Sequence, residues 1–64
     1  MRIDKAILQL RKERKLSQSK FNLGKNQMSL IENGKVTPSL DTLIRICDVL
    51  EIKLSELIVL GENL

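Results

Sequence analysis

Aromatic residues are nearly absent from this 64-residue chain: Phe21 stands alone, with no Trp and no Tyr. Proteins that grip single-stranded nucleic acid stack bases on aromatic side chains, so the composition weighs against that class. Histidine is missing altogether, and Cys47 is the one cysteine. A lone thiol closes no internal disulfide and, without histidine, assembles no ordinary zinc site, so no metal is expected. The same gap removes the commonest general base. With no paired carboxylates at useful spacing and no glycine-rich phosphate loop, neither an enzyme nor a cofactor is expected. No apolar run approaches the roughly 20 residues of a membrane span, and Arg2, Asp4 and Lys5 do not suit a signal peptide. A soluble, cytoplasmic protein is the expectation.

A chain of this length holds one hydrophobic core, so residues 1–64 are expected to form a single domain. The formal charge is +3 and the pI about 9.4, which permits a polyanionic partner. The excess is uneven. Residues 1–35 carry nine Lys and Arg against Asp4, Glu13 and Glu32, whereas residues 36–64 carry five acids against Arg45 and Lys53. The basic half suits a phosphate backbone. The run Arg11, Lys12, Arg14 and Lys15 itself reads as a solvated helix face.

Helical spacing dominates the chain. Ile3, Ala6, Ile7 and Leu10 predict a first helix from about Ile3 to Arg14. Ser17 predicts the cap of a second, through Gln18 to Phe21, which stops at the turn Asn22-Leu23-Gly24. Lys25 to Glu32 predict a third, with Met28 and Ile31 inward and Lys25, Asn26, Gln27 and Ser29 outward. Gly34 closes it in a left-handed conformation, and Pro38 biases Thr37 away from helix. Ser39 then caps a fourth helix with the apolar stripe Leu40, Leu43, Ile46, Cys47 and Leu50, Cys47 being a buried small hydrophobe. A fifth is expected to start at Ser55 and end at Gly61.

The stretches LSQ (Leu16–Gln18), IENGK (Ile31–Lys35), PSLDTL (Pro38–Leu43) and LSEL (Leu54–Leu57) stand in an order that resembles the phage-repressor-like helix-turn-helix regulators, the xenobiotic-response-element type. The likeness runs from Ile3 to Leu57. It implies an all-α, lambda-repressor-like bundle of five short helices, the third lying in the major groove of double-stranded DNA. One departure stands out: Ser19 to Leu30 is about four residues, or one helical turn, shorter than in relatives, which shortens the second helix. Three outcomes follow: a shortened helix-turn-helix, a rearranged bundle, or exchange of elements between chains.

On the resemblance, Lys25, Asn26, Gln27, Ser29 and Leu30 occupy base-reading positions. Their chemistry fits: lysine donates to guanine, Asn and Gln pair with adenine, and Leu30 meets a thymine methyl. Gln18, Asn33, Lys35 and Thr37 correspond to phosphate contacts. Asn33 and Gly34 also serve as a helix cap in any reading. The resemblance further implies a repressor that occupies an operator as a homodimer through Ile58, Val59, Leu60 and Leu64, a set that alternatively closes the core under the first helix. The rival expectation is a helical dimerisation scaffold whose shortened second helix no longer presents the third to DNA.

Overall fold

The computed structural model describes residues 1–24 and 26–64. It contains α1 (Ile3–Glu13), a single 3-10 turn (Gln18–Phe21), α2 (Gln27–Glu32), α3 (Leu40–Leu50) and α4 (Leu54–Glu62), with no strand among the described residues. Every element contributes to one buried cluster: Ala6 and Ile7 from α1, Phe21 from the turn, Met28 and Ile31 from α2, Ile46, Cys47 and Leu50 from α3, and Leu57 from α4. Burial raises the pKa of the Cys47 thiol, with neighbouring Asp48 adding to the effect.

The expected five helices are therefore four and a turn. Between Ser17, which is extended, and Asn22, at φ +52°, only four residues remain. Lys20 and Asn22 close i to i+3 bonds onto Ser17 and Ser19, and the tighter winding advances about 2.0 Å per residue against 1.5 Å in an α-helix. Phe21, 2% exposed, anchors the stub. Arg45 of α3 donates to the Asn22 carbonyl at 3.1 Å, satisfying the backbone where the turn ends.

The third predicted helix is α2, and it begins at Gln27 rather than Lys25. Asn26 sits at φ +66° just before it, and Lys25 lies outside the described residues. Ser39 caps α3 as expected, its hydroxyl accepting the Thr42 amide at 3.2 Å. Ser17 and Ser55 do not cap. The Ser17 hydroxyl pairs with that of Ser19, and α4 starts one residue before Ser55, where the Glu56 carboxylate accepts the Lys53 amide at 3.0 Å. Gly61 does not end α4 either. It is buried inside the helix, where α1 crosses: Arg2 donates its amide to the Gly61 carbonyl at 2.8 Å, and a Cβ at Gly61 would fall 2.8 Å from Ile3 Cδ1. Leu40, placed by spacing on the core stripe, is 60% exposed, beside Ile44 at 44%.

Three helices end by one device. A residue just past the helix turns left-handed, and the amide that follows reaches back five positions: Leu16 to Arg11, Lys35 to Leu30 and Ile52 to Cys47. The left-handed position is Gly34 after α2 but Lys15 after α1 and Glu51 after α3. A side chain there costs about 1 kcal/mol, and an acid at a helix C-terminus opposes the helix dipole. Glu51→Gly is therefore expected to stabilise the fold by about 1 kcal/mol, raising the thermal midpoint by roughly 4–8 °C in a melt.

Candidate nucleic-acid interface

Met28, Ile31 and Glu32 fall at the spacing of one buried α2 face, so the last of them brings a carboxylate to the interior. Glu32 is 6% exposed. Burying an unpaired charge costs several kcal/mol, so partners are required. Arg11, one turn past the buried Ile7 on α1, supplies two bonds: Nε donates to Oε2, and Nη2 donates to Oε1 at 3.1 Å. Its Nη1 also donates to the Leu16 carbonyl at 2.9 Å. Gln18 Nε2 completes the set, donating to Glu32 Oε1 at 2.9 Å. One carboxylate thus ties α1, the 3-10 turn and α2 together. Sequence reasoning assigned Arg11 to a solvated run and left Glu32 without a role; the available signal was an acid standing on an apolar helical stripe.

Gln18 is otherwise exposed. With Ser19, Gly24, Asn26 and Met28 it lines a cleft of about 230 Å³ at the head of α2. At the foot of α2, a groove of about 430 Å³ is lined by Asn33, Gly34, Thr37, Pro38, Arg2 and Asp4, with apolar Met1, Ile3, Ile31 and Val36. There Arg2 hydrogen-bonds Asp4 through Nε and Nη2, at 3.1 and 2.9 Å, and holds that carboxyl down at about 2.

Outside the buried set of α2 stand Gln27, Ser29 and Leu30. Gln27 and Ser29 are half-buried, while Leu30, 38% exposed, is not among the residues packed on the core. Asn33 turns its amide back to the Ser29 carbonyl at 2.8 Å, so it caps α2 while lining the groove. Lys35 is exposed just past Gly34, as is Thr37. The structure thus brings Gln18 beside Asn26 and Asn33 beside Thr37, one pair at each end of α2.

A family model described as helix-turn-helix matches residues 7–57. The chain belongs to the phage-repressor-like helix-turn-helix family. That is a family of DNA-binding regulators. The match spans Arg11, Gln18 and Glu32 and everything between the two clefts. No curated protein and no solved structure matches the chain.

The C-terminal apolar set divides. Leu60 packs against the core and Ile58 is half-buried, whereas Val59 and Leu64 are 55% and 45% exposed. Val59 lines a shallow groove with Ser55, Glu56, Leu60 and Asn63. Among the described residues no helix is long and apolar enough to cross a membrane, and no cluster of three metal-ligating side chains occurs.

Removing one partner of the buried pair strands the other. Arg11→Met is expected to cost about 3–5 kcal/mol, whereas Arg11→Met with Glu32→Leu restores most of that loss. Urea melts of the two single variants and the double variant measure it; two losses that simply add would contradict the pairing.

Proposed function

We propose that this chain is a sequence-specific, double-stranded DNA-binding regulator of the repressor type, acting on an operator with α2 in the major groove. The observation that supports it is the gathering of polar side chains at the two ends of α2, Gln18 and Asn26 at the head and Asn33 and Thr37 at the foot. A helix of six residues is about 9 Å long, and the major groove is about 12 Å wide. Side chains at its ends therefore fall near the flanking phosphates while its outer side meets base edges. Gln18 at the head, with Asn33, Lys35 and Thr37 at the foot, take the phosphates and set register. Lys25, Asn26, Gln27, Ser29 and Leu30 take the bases.

One such unit reads few base pairs, so a homodimer on two half-sites about one helical turn apart supplies useful affinity. Ile58, Val59, Leu60 and Leu64 form its contact, with Val59 and Leu64 meeting the partner and Leu60 bracing them from the core. All 64 residues act as one domain, in the cytoplasm where the DNA lies.

Selection of the purified chain against a pool of random duplexes, at low and moderate salt, tests this. One palindromic sequence is expected to be enriched, and sedimentation is expected to show two chains on it. Lys35→Ala should weaken all duplexes alike and lower the salt slope by about one, whereas Gln27→Ala should cost about 1–3 kcal/mol and relax preference at one position. A folded chain that enriches no sequence at either salt would overturn the proposal.

A further inference from the structure

We infer that Asn33–Gly34 is a site of spontaneous deamidation that the end of α2 holds closed, and that its conversion releases the foot of that helix. Asn22, Asn26 and Asn63 precede Leu, Gln and Leu, and Asn33 alone among the asparagines precedes glycine. Glycine has no Cβ to shield its amide nitrogen, so that nitrogen can close on the preceding side-chain carbonyl carbon. Both residues are exposed, which leaves water free to reach them. The helix end opposes the step. Asn33, at φ −95° and ψ 6°, turns the Gly34 nitrogen away from its own Cγ. Its Nδ2 donates to the Ser29 carbonyl at 2.8 Å, and the Gly34 amide donates to the Ile31 carbonyl at 3.1 Å. Beyond the glycine, the Lys35 amide is held by the Leu30 carbonyl at 2.9 Å.

In the reaction the Gly34 nitrogen attacks Asn33 Cγ. An N–Cγ bond forms, the Cγ–Nδ2 bond breaks, and ammonia leaves with the proton of the Gly34 amide. Water then opens the cyclic imide at either carbonyl carbon, its oxygen ending in a carboxylate and a proton returning to the Gly34 nitrogen. Nothing is oxidised or reduced. Opening at Cγ gives aspartate, whereas opening at the main-chain carbon gives isoaspartate, whose longer backbone runs through the side chain. A carboxylate accepts and does not donate, so the bond to the Ser29 carbonyl is lost and the new charge opposes the dipole at the helix C-terminus. Isoaspartate also draws Lys35 away from Leu30. With the chain on DNA, the charge would further stand at a proposed phosphate position, and that consequence alone rests on the proposed function.

The test incubates the full chain at mildly alkaline pH, folded and in urea, and reads digested peptides by mass spectrometry and isoaspartate detection. No DNA is present, so the result stands or falls apart from the DNA-binding proposal. In urea Asn33 is expected to convert while Asn22, Asn26 and Asn63 lag. The folded chain is expected to convert about tenfold or more slowly, because the reactive geometry breaks the bonds from Asn33 and Gly34 to α2. Arg11→Met, which loosens α2, is expected to convert faster than wild type, and Asn33→Gln to stay unmodified. Asn33→Asp, the product without the longer backbone, is expected to melt roughly 4–8 °C lower through loss of the capping bond. Equal rates in the folded and unfolded chains would overturn the inference, as would earlier conversion at another asparagine. An Asn33→Asp chain as stable as wild type would overturn the release of α2.

Discussion

A buried carboxylate on a six-residue helix is an arrangement that a chain this small can carry only if its partners are in place. Glu32 meets two nitrogens of Arg11 and one of Gln18, and the third Arg11 nitrogen reaches the Leu16 carbonyl. Three segments distant in sequence therefore share one charge. Small domains are stable by only about 5–15 kcal/mol, so an unpaired Glu32 would consume much of that margin. The same bonds also set geometry. Because Gln18 is bound to the last residue of α2, the residue proposed for a phosphate is placed relative to the helix proposed for the bases.

The shortened second element makes that constraint more important. A full α-helix before α2 would hold its position through several apolar contacts, whereas four residues provide one, Phe21. The 3-10 winding, the left-handed Asn22 and the bond from Arg45 compensate by fixing the backbone where side chains are few. Of the outcomes open to a missing turn, the chain adopts the shortened helix-turn-helix, with its core closed by residues from all five elements.

Much of this architecture was legible because it rests on local chemistry. Gly34, Pro38 and Ser39 mark a left-handed end, a rigid link and a cap whatever the surroundings, and all of that section was anticipated. Gly61 misled for a physical reason: glycine permits both a left-handed turn and a close approach between helices, and only the path of α1 distinguishes them. Lys15 and Glu51 closed helices without glycine, so no local residue advertised those ends. Leu40 satisfied the helical period yet faces out, since it is the first residue of α3 and the helix meets the core from Leu43 onward. Within the interface, the amides and Leu30 could be placed on α2 from spacing. The Arg11–Glu32–Gln18 set could not, because it joins residues 14 and 21 positions apart and spacing within one helix carries no record of a partner on another.

The buried set joins Gln18 and α2 into one surface, the one proposed to face DNA. Mapping backbone and side-chain amide shifts of the labelled chain as an enriched duplex is added tests it most directly. The account predicts one continuous patch, from Gln18 and Ser19 through Asn26 to Leu30 and on to Asn33, Lys35 and Thr37, with the Arg11 Nε–H signal still paired. Shifts confined to α4 around Ser55, Val59 and Asn63, or a response in α2 with Gln18 silent, would contradict it.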